Sequence, residues 1–317
     1  MALSSSERSR LDDAARAGWL YYIGGHTQDE IAKTLKVSRA TVQRLVSLCL
    51  SERLITFRLE HPIAACMGLA TQLVDRFGLR TCEIVPTDPA SPTSVAGIAE
   101  RAAALLETTL RSKKPKIVAI GTGRAMRAAV ELVPHMNRPD HRLVSLVGNI
   151  STDGSATFFD TVGRLAELIK ARHYPMPLPV LLSSEAERDQ MLGMSPTKMV
   201  RAIAAKADLR LVGVGQMDRN AQFYVDGFIG REELFELIRL GAIGELAGWA
   251  YNASGRFIRG GTNRRLTSVP HPVPIKGPTV AAALGPAKVA AILAVLKGRL
   301  INGLITDEAT AKALLAH

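Results

Sequence analysis

Arginine, glutamine and hydroxyl side chains recur within one short segment, residues 27–51, and these groups bond to DNA phosphates and base edges. The polar residues in question are Gln28, Ser38, Arg39, Thr41, Gln43 and Arg44. Arginine and glutamine can each form two bonds to one base edge, and hydroxyls can bond to either a base or a phosphate. The sequence therefore predicts a surface that contacts DNA; a solvated helical hairpin packed on another element is the alternative.

Two apolar repeats predict the helices that would carry these polar residues. The apolar positions are Ile31, Ala32 and Leu35 in the first repeat and Val42, Leu45, Val46 and Cys49 in the second. Thr27 and Ser38 precede the repeats, where a side-chain oxygen caps the first free helix amides. Lys36 lies in the turn at a position that needs a positive φ, at a cost of about 1 kcal/mol. The pattern predicts a helix-turn-helix with residues 38–51 as recognition helix.

Flanking patterns extend this unit on both sides. A supporting first helix is predicted from the spacing of Leu11, Ala15, Trp19, Tyr22 and Ile23. Downstream, Leu54 to Leu59 alternates apolar and polar residues like a short strand. Three helices followed by a strand predict a winged helix-turn-helix domain over residues 1–60.

A second group of residues could hold an anion or sugar hydroxyls. Gly121, Thr122, Gly123 and Arg124 follow a predicted strand and open a predicted helix, so that free amides and the positive helix end would face a ligand. A tight turn that needs glycine is the alternative. Asn149 and Gln216 follow two further predicted strands. Since ligands bind beyond the carboxyl ends of parallel strands, we expect these residues to converge on one pocket.

Residues 61–317 alternate between short apolar runs and helical patterns after His61 and Pro62, which we take as the domain boundary. Predicted strands are Cys82–Val85, Ile117–Ile120, Leu143–Val147, Leu209–Val214, Leu246–Tyr251 and Leu300–Ile305. Predicted helices are Ser94–Arg111, Arg124–Val133, Thr161–Ala171, Ser195–Ala205 and Arg231–Leu240. A preceding helix with one apolar face, Cys66, Leu69, Leu73 and Phe77, could pair with its copy in another subunit. The alternation predicts a doubly wound α/β fold.

The charge and cysteine content narrow the possible classes of protein. The net charge of +11 comprises +2 from residues 1–61, with 9 basic and 7 acidic residues, and +9 from residues 62–317, with 31 and 22. The excess indicates solubility or an anionic ligand. Three cysteines without a Cys-x-x-Cys pair indicate core thiols in a reducing compartment. Asp12 and Asp13 argue against a signal peptide, and Pro286 and Lys288 interrupt the longest apolar run. We expect a cytoplasmic protein without a membrane span.

Several segments of this chain resemble the SorC family of sugar-responsive transcriptional regulators. They are the helix-turn-helix, the Gly-Thr-Gly-Arg loop, Gly241–Glu245 and Ile301–Ala311. The resemblance implies an operator-binding domain and an effector domain whose fold is similar to sugar-phosphate isomerases and deaminases. It also implies homo-oligomers, dimers or tetramers, and a sugar, polyol or sugar-phosphate effector.

The resemblance also assigns residues to the effector site. It places Gly121 to Arg124 at phosphate or hydroxyl groups of the effector, with Asn149 beside them. Asp226 would accept hydrogen bonds from sugar hydroxyls, and a merely solvated loop carboxylate is the alternative. Lys288, at the start of a helix, would contact the ligand. In the C-terminal segment, Thr306 is predicted to cap a helix that has Asp307 and Glu308 in its first turn.

An enzyme is the main alternative, because residues 212–218 vaguely resemble an active-site strand and loop of aminosugar-phosphate deaminases. Such enzymes need a general base and an acid relay, usually with a histidine, whereas this segment offers Asp218, Arg219 and Asn220. The seven histidines have no metal-binding spacing. We therefore expect no catalysis, cofactor or metal. A constitutive DNA-organising protein would leave the α/β domain without a role.

Overall fold

The computed structural model describes residues 5–52, 54–55, 63–150, 154 and 161–317, and these form two compact units. Unit 1 is Met1–His61 and unit 2 is Pro62–His317. Across the described residues, no helix has both the length and the apolar character needed to cross a membrane.

Unit 1 is a helical domain built around the two predicted apolar repeats. Its elements are α1 (Ser5–Gly18), a π-helical turn (Trp19–Ile23), α2 (Gln28–Leu35) and α3 (Arg39–Ser51). Ala17, Ile31, Val42 and Val46 form its buried core. The two helices predicted from the sequence are thus confirmed, and α3 begins one residue after Ser38.

The predicted flanks of unit 1 differ from the structure. Trp19 and Ile23 do not face the core, since they are 54% and 65% exposed, whereas Ala14 and Ala17 are fully buried. The predicted helical spacing fails there because the chain changes from α-helix to a π-helical turn at Trp19. In the predicted strand Leu54–Leu59, Leu54 and Ile55 form a bend. The rest of that strand lies outside the described residues, as do His61 and Pro62 at the predicted boundary.

Unit 2 contains two sheets and ten α-helices in its described part. The strands are β1 (Thr81–Val85), β2 (Ile117–Ile120), β3 (Arg142–Ile150), β4 (Arg172–Pro179), β5 (Leu209–Val212), β6 (Gly215–Gln216), β7 (Ala242–Leu246), β8 (Trp249–Asn252), β9 (Thr279–Ala282) and β10 (Gly303–Asp307). The helices are α4 (Ala64–Phe77), α5 (Ala96–Leu110), α6 (Arg124–Glu131), α7 (Thr161–Ile169), α8 (Glu185–Leu192), α9 (Ser195–Ala205), α10 (Gln222–Val225), α11 (Arg231–Arg239), α12 (Val289–Lys297) and α13 (Glu308–Ala316).

The larger sheet is parallel and has helices on both faces. Its described strands are ordered β1-β10-β9-β5-β2-β3-β4. Neighbouring residues of one strand point to opposite cores: Val118 and Ile120 pack with α5, α6 and α7, whereas Ala119 lies in the core shared by α4, α9, α12 and α13. This is the predicted doubly wound arrangement. After β2 the chain adds β3 and β4 on one side and returns to β5 on the other, so the strand order reverses between β2 and β5.

Several predicted elements differ from the observed ones. Residues 246–251 form not one strand but two, β7 and β8, joined by a turn in which Ala247 and Gly248 have φ values of 52° and 86°. The predictions omit β4, whose proline-rich sequence is tolerated at a sheet edge. They also omit β9 and α12, since both are buried in the long apolar run around Pro286 and Lys288, which has no clear period.

Candidate functional site

Unit 1 fixes its helix-turn-helix with side-chain caps at both predicted positions. Thr27 Oγ1 accepts from the Glu30 amide at 3.3 Å, and Glu30 Oε2 accepts from the Thr27 amide at 2.8 Å, a reciprocal capping box. Ser38 Oγ accepts from the Thr41 amide at 3.2 Å. Lys36 has φ 55°, so the predicted left-handed conformation in the turn is confirmed.

The polar residues of α3 and its cap form an exposed surface, here called the recognition surface: Ser38, Arg39, Thr41, Gln43 and Arg44. Arg39, Gln43 and Arg44 are exposed, and Thr41 is half-buried. Arg39 Nε lies 3.7 Å from Asp29 Oδ1, and Arg44 donates to Thr41 Oγ1 at 3.2 Å. Exposed pairs of this kind contribute little to stability, so both guanidinium groups can exchange them for a phosphate or a base. Gln28, the sixth predicted residue, is half-buried at the first position of α2.

Unit 2 contains a cavity of about 720 Å³ at the carboxyl ends of β2, β5 and β9, here called the effector cavity. Seven of the eight residues predicted for the effector site line it: Gly121, Thr122, Gly123, Arg124, Gln216, Asp226 and Lys288. Asn149 does not. It lies in β3, which extends three residues beyond the predicted strand, and its Oδ1 is buried without a hydrogen bond to a described residue.

The loop after β2 is held so that the start of α6 faces the cavity. Gly121 donates its amide to Leu211 O at 2.8 Å, and its carbonyl accepts from Thr161 Oγ1 at 2.8 Å. Gly123 then caps α6 with φ 109°, a conformation that glycine adopts without the steric cost of a Cβ. The first amides of α6 have no carbonyl partner within the helix and are available to a ligand.

A second loop, after β9, is fixed by the C-terminal segment. Gly285, with φ 107°, donates its amide to Thr310 Oγ1 at 2.9 Å, and Pro286–Lys288 form a 3₁₀ turn before α12. Asp307 Oδ1 accepts from the Thr310 amide at 3.1 Å, so Asp307 caps α13. The predicted cap at Thr306 was wrong by one residue, because Thr306 is a fully buried member of β10.

Charged side chains of both signs meet in the effector cavity. Arg124 donates to Gln222 Oε1, and Gln222 Nε2 donates to Asp226 Oδ1 at 2.5 Å. Burial lowers the pKa of Lys288, Arg124 lowers it further, and Glu245 acts in the opposite direction. The Lys288 ammonium forms no ion pair or hydrogen bond with another described residue. It is therefore available to an anion.

Glu245 and Gln222 are cavity residues that the sequence analysis missed as ligand candidates. Glu245 Oε2 accepts from the Gly248 amide at 2.7 Å, and its side chain occupies the space that a Cβ on Gly215 would need. Burial raises the pKa of Glu245 above its usual range; Asp226 adds to the rise, while the Gly248 amide and Lys288 oppose it. The signal for Glu245 was its place in the resemblance segment Gly241–Glu245, to which no role was assigned.

The described lining of the cavity has hydrogen-bond donors and acceptors but no histidine, which a deaminase relay usually includes. Among its described lining residues there is no histidine or cysteine. Asp218, which suggested an enzyme, is exposed and does not line it. Within the part of the chain that the structure describes, no group of three or more His, Cys, Asp or Glu residues could hold a metal ion.

Comparisons with known proteins extend over both units. Residues 61–316 match the Sugar-bind family model, a sugar-binding domain. The erythritol catabolism regulatory protein EryD of Brucella abortus is 31% identical over 304 residues, which cover 96% of each chain. The transcriptional regulator LsrR of Klebsiella pneumoniae is 31% identical over 311 residues, 95% of this chain and 92% of LsrR. The full-length sorbitol operon regulator SorC of Klebsiella pneumoniae has a similar fold, with a TM-score of 0.71, 23% identity and coverage of 99% and 100%.

Proposed function

The chain belongs to the SorC family of sugar-binding transcriptional regulators, and on that premise we propose which residues bind DNA and which bind the effector. Unit 1 binds operator DNA through the recognition surface. The effector cavity of unit 2 binds a small sugar or polyol, and its occupancy alters operator affinity. The observation that carries the proposal is the convergence of seven predicted residues on one cavity at the carboxyl ends of three strands.

The exposed side chains of α3 support the assignment of DNA binding to unit 1. Arg39, Gln43 and Arg44 occupy the first two turns of the helix, the part that reads base edges in helix-turn-helix proteins. We assign Gln43 to a base edge and the two arginines to base or phosphate contacts. Ser38, Thr41 and Gln28 would add phosphate contacts near the helix starts.

The charges of the cavity favour an effector with one anionic group. Lys288, Arg124 and the start of α6 supply positive charge and free donors, which suit a phosphate. Asp226 and Glu245 supply acceptors, which suit hydroxyl groups. EryD is named for the catabolism of erythritol, a four-carbon polyol. We therefore propose that the effector is a phosphorylated short sugar or polyol.

Regulation by the effector requires a second conformational state and, in this proposal, a second subunit. Two copies of the chain would place two recognition helices about 34 Å apart, or a multiple of that distance, to read symmetric half-sites. A homodimer or homotetramer acting in the cytoplasm would satisfy this requirement. The effector would act by binding the DNA-competent and incompetent arrangements with different affinity.

A thermal-shift screen on the full chain tests the effector assignment. The ligands would be erythritol, ribose and sorbitol, each beside its monophosphate. Specific binding at about 100 times the Kd should raise the midpoint by roughly 5 °C or more for the phosphorylated member of a pair. Stabilisation by the neutral member alone would contradict the anionic effector, and no stabilisation by any of the six compounds would contradict a short sugar or polyol effector.

A further inference from the structure

Unit 2 has a second pocket, of about 300 Å³, that shares no lining residue with the effector cavity. It is here called the aromatic pocket. Its apolar part comprises Trp249, Phe257, Ile258, Pro270 and His271. The Phe257 ring is edge-on to both Trp249 and His271, with centroids 6.1 and 5.8 Å apart. All three rings are half-buried, so each presents part of its surface to the pocket.

The indole N–H of Trp249 and the Nε2 of His271 are already used by the backbone. Trp249 Nε1 donates to Val269 O at 3.1 Å, and His271 Nε2 lies 2.6 Å from Leu300 O. Burial lowers the pKa of His271 to about 4, so the imidazole is neutral at pH 7. The rings therefore offer a ligand mainly aromatic surface and no charge.

The loop that carries Arg259 and Arg264 is anchored by Asn263, which is 6% exposed. Its Nδ2 donates to Ala250 O at 2.9 Å and to Ile258 O at 3.0 Å, and its Oδ1 accepts from the Ala250 amide at 2.9 Å. Arg259 precedes this clamp and Arg264 follows it. The backbone that carries both arginines is thereby fixed beside the aromatic surface before any ligand binds, which lowers the cost of ordering the loop.

The charge of the aromatic pocket is positive. Arg188, Arg259 and Arg264 line it together with a single acidic residue, Glu185. Arg188 neutralises that carboxylate at 3.3 Å and also pairs with Asp189 at 2.8 Å. Arg259 and Arg264 are exposed and have no ion pair with a described residue. Two fork-shaped donors are thus free for an anion next to an aromatic surface.

We propose that the aromatic pocket binds a nucleoside monophosphate, with the base against Trp249 and Phe257 and the phosphate bonded by Arg259 and Arg264. Contacts between bases and aromatic rings tolerate every base, and arginine pairs with phosphate through two parallel bonds. The volume lies at the lower end of the range for small-ligand pockets, which favours one nucleotide over an oligonucleotide.

The fluorescence of Trp249 provides a direct test on the full chain. The sequence has two tryptophans, and Trp19 is exposed, so Trp19→Phe leaves Trp249 as the single reporter. Titration with AMP, GMP, CMP and UMP should give a saturable change in emission with at least one of them. Adding Arg259→Ala and Arg264→Ala should weaken that nucleotide at least about tenfold.

Three controls make the result specific to this pocket. Arg80→Ala removes an exposed arginine that does not line the pocket, and it should leave binding unchanged. Lys288→Ala changes the effector cavity and should also leave binding unchanged. Inorganic phosphate and the nucleoside of the nucleotide that binds should each bind at least about tenfold more weakly than that nucleotide, since each has only half of the proposed contacts. If the double alanine variant loses its helical circular dichroism, the nucleotide affinity of the single variant Arg264→Ala is measured instead, and a loss of affinity there supports the proposal.

Four results would overturn the proposal. The first is the absence of a saturable change with all four nucleotides. The second is equal affinity in the variants lacking the pocket arginines and in the Arg80 control. The third is loss of binding in the Lys288 variant, which would move the nucleotide to the effector cavity. A single-stranded oligonucleotide that binds while the mononucleotides do not would likewise contradict a nucleotide site.

Discussion

The recognition surface and the effector cavity differ in the physical properties that they offer a ligand. The recognition surface comes from one helix and its cap, and its arginines are solvated and lie on the outside of unit 1. The effector cavity is assembled from separate strand ends, and burial shifts the pKa of Lys288 and Glu245 in it. Changes to the surface should therefore act on salt-dependent DNA affinity, whereas changes to the cavity should act on ligand affinity.

Replacing both Arg39 and Arg44 with alanine is expected to have the largest effect. Each bidentate base contact contributes about 1–3 kcal/mol, so operator affinity should fall roughly 100-fold or more. The slope of log affinity against log salt should also become shallower if a phosphate contact is lost. Fluorescence anisotropy with an operator selected from a random pool measures both quantities.

Arg80→Ala is the matched control for that double variant, because it removes an exposed cation from unit 2. Effector-induced thermal stabilisation should be unchanged in both proteins. Wild-type operator affinity in the double variant would place the recognition surface elsewhere.

Acid pH should affect the recognition surface and the interior of unit 2 differently. The arginines of the recognition surface stay charged, whereas buried groups of unit 2 titrate. Burial holds the pKa of His271 at about 4 against a usual 6.5. The neutral imidazole therefore contributes stability above pH 6.5, and this is lost as the pH falls from 6.5 through 4, up to about 3 kcal/mol.

His271→Gln keeps a donor for Leu300 O but does not titrate, so its free energy of unfolding should fall less over that range. Urea unfolding of the two proteins at several pH values measures the difference. Parallel pH profiles would show that His271 is solvated rather than buried.

Lys288→Ala is expected to weaken effector binding about 10-fold or more, because a charge-assisted bond to the ligand is lost. Operator affinity without effector should not change, since the substitution is confined to the cavity of unit 2. Isothermal titration with the best compound of the thermal screen measures the first quantity. Lys297→Ala, an exposed lysine at the end of α12, is the control; equal losses in both variants would remove Lys288 from the ligand site.

Lys36→Gly tests the smallest effect, the left-handed turn between α2 and α3. Glycine adopts φ 55° without the Cβ clash, so unit 1 should gain up to about 1 kcal/mol in stability. Lys33→Gly, inside α2, should instead lose about 1 kcal/mol. Differential scanning calorimetry measures the stability of both variants. A loss of stability in Lys36→Gly as well as in Lys33→Gly would mean that the Lys36 side chain stabilises unit 1 by more than its left-handed conformation costs.

The sequence predicted unit 1 better than the cavity, because helix caps and apolar spacing are local. Thr27, Ser38 and Lys36 could each be interpreted from their neighbours. The glycine loop after β2 was also a local signal. The role of Gln222 had no local signal, because its hydrogen bond to Arg124 forms only when distant segments of the folded chain meet, and that contact places its bond to Asp226 in the cavity. Trp19 and Ile23 misled the prediction because they lie in a single π-helical turn of five residues, too short for its own spacing to show in the sequence.

Glu245 and Asn149 show why part of the candidate site could not be predicted from the sequence. Glu245 reaches the cavity because β7 and β8 form a hairpin, whereas the sequence pattern indicated one strand there. Asn149 was expected beyond the end of β3, but β3 continues through Ile150 and keeps it in the sheet. Strand length and hairpin turns depend on tertiary pairing, which a single sequence does not specify.

The most direct test of the central claim is operator affinity of the full chain with and without a saturating effector, measured by fluorescence anisotropy. A regulator whose cavity controls its recognition surface should show a Kd for the operator that changes about 5-fold or more, equivalent to about 1–3 kcal/mol of coupling. In Lys288→Ala the same change in operator Kd should require about 10 times more of the compound, because its effector affinity is lower. An identical operator Kd with and without bound effector would contradict the account.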